Sequence, residues 1–160
     1  MFVGFKKIIA NKGYKGELTV ICEEDESTLL RCYENCNKCL QTSAYNNENN
    51  KSLHTTKTIK GKFFMVSGAN ISCACTKCPN GIAPYSHLGD GNLYLVLVHH
   101  TSLINNIRLL LRMSSKNGTI DDLPFIEICR AKEFYFHPIE HESKWNCDGE
   151  VQMQSDIHAR

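Results

Sequence analysis

Two carboxylates near the end of the chain point to the first chemistry to look for. In Trp145-Asn146-Cys147-Asp148-Gly149-Glu150, Asp148 and Glu150 stand two residues apart across a glycine, behind the only tryptophan. In extended chain, side chains i and i+2 face the same way, which sets these two side by side. Like charges held that close split in pKa, or share a cation or a proton. A plainer reading is open too: an Asp-Gly turn with a solvated glutamate beside it.

Cysteines form the second constellation. Cys32, Cys36 and Cys39 have C-x3-C-x2-C spacing, and Cys73, Cys75 and Cys78 have C-x-C-x2-C spacing. Each group ends in the C-x2-C pair that grips one zinc ion in a knuckle. Cys32, Cys36, Cys39, Cys75 and Cys78 are therefore candidate ligands of a structural Zn²⁺, although the spacings match no standard ribbon. The alternative is small buried side chains beside a strand. The first spacing also resembles the cluster loop of radical SAM enzymes, whose barrel is far larger than this chain can build. The third constellation is Leu88-Gly89-Asp90-Gly91. Asp-Gly ahead of an apolar run is first a turn signal. Asp90 with turn carbonyls would also suit a hard cation such as Mg²⁺. No Walker A loop and no Rossmann glycine pattern is present. His99 and His100 fall on opposite faces of a strand and read as structural.

The elements that must position these groups are mostly strands. Glu17 to Cys22 reads as one, with Leu18, Val20 and Cys22 on one face. Ile59 to Ala69 reads as the next. Leu93 to Val98 is apolar at nearly every position, which implies burial on both faces. Leu123 to Phe136 reads as one long strand or two. One helix is expected from a Thr101 or Ser102 cap to about Met113, with Leu103, Ile107, Leu110 and Leu111 as its apolar side. Phe5, Ile8 and Ile9 have helical spacing with Gly13 as a stop. Residues 23–58 read as a polar, cysteine-containing loop with an Asn-rich core. Several strands, few helices and long turns imply a mainly β domain, sandwich-like or barrel-like, with one or two packed helices.

Composition bounds the rest. The 160 residues fit one domain, and 42% hydrophobic with 22% charged residues is ordinary for a globular protein. A net charge of +1 lacks the basic excess of a nucleic-acid surface. Lysines at 6, 7, 12 and 15, and at 51, 57, 60 and 62, suit a solvated face, or else anionic lipid head groups. No apolar run approaches the ~20 residues of a transmembrane helix. Nine cysteines without a signal peptide read as reduced thiols or metal ligands in the cytoplasm.

Taken together, Asn70 to Cys75, the Leu88–Gly91 turn with the strand after it, Arg108 to Arg112, Phe134-Tyr135-Phe136 and Trp145 to Glu150 resemble one family. It is the lipid kinases related to diacylglycerol and sphingosine kinases, and within them the ceramide kinases, which the triad Cys32, Cys36 and Cys39 also resembles. The resemblance implies a two-domain kinase: an α/β domain that binds ATP through Gly-Asp-Gly, and a C-terminal β-sandwich that completes the active site and the lipid pocket. Residues 1–160 resemble only the second, incomplete at its last strands, and the ATP-binding domain is expected to be absent from them. The implied reaction moves phosphate from ATP, with Mg²⁺, to the primary hydroxyl of ceramide or a related lipid. The implied location is cytoplasmic, peripheral on intracellular or plasma membranes. The family's roles would fall on Asp148 as base toward the acceptor hydroxyl, on Glu150 as its support or a metal ligand, and on Asp90 beside a Mg²⁺ site. Tyr94 departs from the acidic residue many relatives carry there, which counts against a metal at Asp90. By itself the chain is expected to be inactive. The rival readings are a non-catalytic lipid-binding module and a zinc-organised interaction module.

Overall fold

A computed structural model describes residues 10–23, 54–88, 91–140, 144–153 and 155–160. Its main feature is a sheet that closes on itself. β1 (Tyr14–Glu23), β2 (His54–Ala69), β3 (Leu93–His99) and β4 (Ile126–Pro138) pair antiparallel in that order, and β4 returns to β1. Closure is possible because the two long strands each serve two neighbours. β2 pairs with β1 over 54–63 and with β3 over 63–69. β4 pairs with β3 over 126–131 and with β1 over 131–138. Register shifts fall between Phe63 and Met65 and between Ile21 and Cys22, where a long strand changes partner. An extra residue at such a point bends the strand and lets it turn the corner. β5 (Trp145–Cys147) and β6 (Glu150–Gln152) make a separate hairpin, and β7 (Ile157–Ala159) adds to β4 beside Phe134–Phe136.

The mainly β class expected from the strand pattern holds, and a helix, α1 (Leu103–Ser114), follows β3. β1 and β2 both exceed their sequence-based limits. β2 starts at His54, inside the stretch read as loop, because threonines 55, 56 and 58 continue the ladder opposite Cys22, Ile21 and Thr19. This polar half is exposed, so it shows no apolar signal. β-branched residues on a hydrogen-bonded edge need none.

Two cores result. Leu18, Val20, Phe63, Leu95, Leu97, Ala131, Phe134 and Phe136 pack together within the ring. Tyr94, Val96 and Val98 face the other way and pack with Ala83, Leu109, Ile120, Leu123 and Phe125. Successive β3 residues thus alternate between two cores, which is why its interior is buried throughout. Full burial of each such side chain contributes about 1.5–3 kcal/mol.

α1 begins as expected at Ser102, whose hydroxyl accepts from Asn105 N at 3.4 Å. Its buried side differs from the expected one: Asn106 and Leu109 turn inward. Leu103, Ile107, Leu110 and Leu111 are exposed, as is Ile104. Asn106 is the reason for this orientation. Its amide donates to Asn11 Oδ1 at 2.8 Å, while Asn11 donates to Thr101 O at 2.9 Å. That network pins the start of the helix with a polar residue inward. Ala10 is helical and Asn11, at φ 43°, takes the left-handed stop expected of Gly13. The helix expected at Phe5 to Ile9 lies outside the described residues.

Candidate functional site

Trp145 holds the carboxylate segment against the ring. Its ring meets Phe136 edge-on at 5.3 Å and lies 6.3 Å from Phe134, and its Nε1 donates to Ser155 O at 3.2 Å. Beyond it the chain turns back, with Trp145 opposite Gln152 and Cys147 opposite Glu150. Asp148 (φ 49°) and Gly149 (φ 96°) are both left-handed. That is the two-residue hairpin turn for which Asp-Gly is the favoured sequence. Asn146 Oδ1 accepts from Gly149 N at 2.9 Å and ties the turn. The extended geometry expected for Asp148 and Glu150 is therefore replaced. Asp148 sits in the turn and Glu150 begins the return strand, so period-two alternation does not relate them. Both are exposed.

Beside this hairpin is an apolar pocket of about 160 Å³, lined by Tyr14, Phe63, Phe64, Met65, Phe136 and Trp145, with Lys144 at its edge. Trp145 is thus both a pocket wall and the first residue of the strand that carries the carboxylates. Phe64 and Met65 lie at the bulge in β2, which opens the sheet there.

The other sequence candidates are scattered. Asp90, Cys32, Cys36 and Cys39 lie outside the described residues. Tyr94 is buried in the outer core, and its hydroxyl is pushed up by burial and by Asp121. Cys75 and Cys78 face each other across a two-residue turn. Among the described residues, no group of three or more His, Cys, Asp and Glu is placed to hold a metal ion. His99 and His100 diverge as expected: His99 Nε2 meets Glu127 Oε1 at 2.8 Å, and His100 Nε2 meets Asn11 O at 2.8 Å. Three lysines of β1 and β2 are paired: Lys57 with Glu127 and Lys60 with Glu17 at 2.9 Å each, and Lys15 with Glu140. That favours the solvated-face reading for these three.

One polar array went unnoticed in the sequence. On the outer face of β4 and β7, His137 Nδ1 meets Asp156 Oδ1 at 2.5 Å and His158 Nε2 meets Glu133 Oε2 at 2.9 Å. Tyr135 stacks on His158 at 4.0 Å between them. The hydrogen bond from His158 holds the Glu133 carboxyl below its ordinary value. Alternation at 133, 135 and 137 was the available signal, but the partners Asp156 and His158 lie 19 and 25 residues further along the chain.

Residues 17–160 match the model of the ceramide kinase C-terminal domain. The chain belongs to this family. Among curated proteins, ceramide kinase of Mus musculus is 28% identical over 203 aligned residues, covering 99% of this chain and 38% of that protein. The Homo sapiens ceramide kinase is 27% identical with the same coverage. The ceramide kinase of Oryza sativa is 30% identical, covering 92% of this chain and 26% of that protein. This ceramide kinase C-terminal domain thus spans well under half the length of the relatives it matches.

Proposed function

We propose that this chain forms the acceptor side of a lipid kinase that moves phosphate from ATP to the primary hydroxyl of ceramide. The observation that carries the reading is the shared role of Trp145, which joins an apolar pocket to a hairpin bearing exposed carboxylates. A lipid acceptor needs that combination: apolar lining for its tail and a carboxylate near its hydroxyl. The exposed side of α1, with Ile104, Ile107 and Leu111, offers further apolar surface. Asp148 takes the hydroxyl proton as general base, and Glu150 supports it or a metal. Mg²⁺ binds through one or two carboxylates with waters and phosphate oxygens, and Glu150, exposed beside the turn, could supply one of them. Bound there with ATP, the ion would neutralise charge on the transferring phosphate. The working place is the cytoplasmic face of a membrane, as a peripheral protein. Among the described residues no helix is long and apolar enough to cross one.

The test is Asp148→Asn in a full-length kinase that carries this domain, assayed with ceramide vesicles and ATP. A kcat loss of roughly 10²–10⁴-fold is expected, with little change in ceramide KM. Unchanged turnover removes Asp148 from the mechanism. The 160 residues alone are expected to yield no ceramide phosphate, and any measurable product from them contradicts that expectation.

A further inference from the structure

Cys75 and Cys78 lie outside the hairpin site and have a geometry of their own. Cys75 N donates to Cys78 O and Cys78 N donates to Cys75 O, both at 3.0 Å. A pair bonded twice in this way has Cα atoms about 5.5 Å apart. That is inside the roughly 4.4–6.8 Å that a disulfide spans. Side chains at facing positions leave the ladder on the same side. The turn is braced from behind: Gly81 N donates to Cys78 O at 3.0 Å, and Ala83 N to Ser72 O at 3.3 Å. Asn80 Nδ2 donates to Lys116 O and Gly118 O at 3.0 and 2.9 Å. Cys75 is exposed and Cys78 half-buried.

We propose that Cys75 and Cys78 are a reversible dithiol–disulfide pair, oxidised by small disulfides such as oxidised glutathione. Cys75, the exposed member, loses its proton and attacks one sulfur of the oxidant, releasing one glutathione thiolate. Cys78 then loses its proton and attacks the Cys75 sulfur, and the second glutathione leaves. Two protein thiols and one small disulfide become one protein disulfide and two small thiols, with both electrons on the departing glutathiones. The product is easily reversed. Facing Cβ atoms in such a ladder stand up to about 5.5 Å apart, whereas the bridge prefers about 3.8 Å. Closing it draws the turn inward, and strained bridges are the reducible ones. Cys22 and Cys129 also hydrogen-bond, but burial and Cys22 push the Cys129 thiol up to about 12, so it supplies almost no thiolate near neutrality.

The experiment uses the 160-residue chain carrying Cys73→Ser, which removes the cysteine nearest in sequence to the pair. The chain is treated with oxidised glutathione, its free thiols are blocked, and it is cut with trypsin. Trypsin cleaves after Lys77, between the two cysteines. The expected result is that the fragment ending at Lys77 and the fragment starting at Cys78 stay joined until reduced. Excess reduced glutathione, added before blocking, should separate them. In a Cys78→Ser chain the joined species should vanish and glutathione should remain on Cys75. Fragments that separate without reductant overturn the proposal, as does a link that survives excess reduced glutathione. Stoichiometric zinc on these two thiols that blocks the reaction until chelated also overturns it.

Discussion

Gly81 and Gly149 both hold left-handed backbone, at φ 71° and 96°, but under different constraints. A Cβ on Gly81 would stand 1.7 Å from Ser72 O, a backbone atom that cannot move aside cheaply. A Cβ on Gly149 would meet nothing within 4 Å. Gly149→Ala therefore meets only the backbone penalty, about 1–2 kcal/mol confined to the hairpin. Gly81→Ala adds a clash beneath the outer core and should cost more than about 3 kcal/mol. At roughly 2–4 °C per kcal/mol for a domain this size, it lowers Tm by about 6 °C or more. Gly149→Ala should leave Tm nearly unchanged while hairpin amide exchange quickens. Equal Tm shifts would refute the distinction. A second residue-level outcome concerns pH. The hydrogen bond from Lys57, then that from His99, hold the Glu127 carboxyl below 4.5. A lowered carboxyl contributes stability above its unfolded pKa and loses it as pH falls through the folded value. Lys57 is raised above 10.5 by the same bond, so its share is lost as pH climbs through that folded value. With both groups well exposed, the pair contributes under about 1 kcal/mol. Glu127→Gln should lower stability above pH 4.5 by that amount and converge with the parent as pH falls through the folded value, which flattens the acid limb. An unchanged acid limb would show that the pair contributes nothing.

At the scale of elements, α1 shows what an amphipathic pattern leaves open. Leu103, Ile107, Leu110 and Leu111 have the spacing that predicts a buried stripe. In the fold the buried side is Asn106 and Leu109, turned by the Asn11–Asn106–Thr101 network. Leu109→Ala should cost about 2–4 kcal/mol, since it empties a site in the outer core. Leu111→Ser should stay within about 0.5 kcal/mol in the 160-residue chain, since Leu111 is 66% exposed. Chemical denaturation of the two variants separates the cases, and comparable losses would mean the stripe is covered in solution. β3 is the opposite example. Its unbroken apolar run could only be buried on both faces, and it lies between both cores.

For the whole molecule, the ring of four strands is the cooperative unit and the β5–β6 hairpin is an attachment. The hairpin pairs with no strand of the ring and is held through Trp145. Trp145 is the only tryptophan, so its fluorescence reports docking and far-UV circular dichroism reports the ring. Urea should red-shift the emission before the strand signal falls, and coincident transitions would show a single unit. Local physics made much of this visible in the residues. Leu18, Val20 and Cys22 alternate, Ser102 caps, and Asp148-Gly149 turns, each through interactions a few residues long. Those rules also offer an Asp-Gly turn at 148–149 beside the extended reading, and the turn is what forms. Ring closure was not visible, because it depends on β2 and β4 each dividing their hydrogen bonds between two partners at bulges. The polar start of β2 was hidden for the same reason, its support being β1 across the ladder. So was the pocket at Trp145, whose walls come from β1, β2 and β4. Residue types and short spacings determined which segments are strands, where α1 starts and which carboxylates stand at a turn. Only the tertiary structure decided which side of α1 is buried and what lies beside Asp148, because both depend on contacts between residues tens of positions apart.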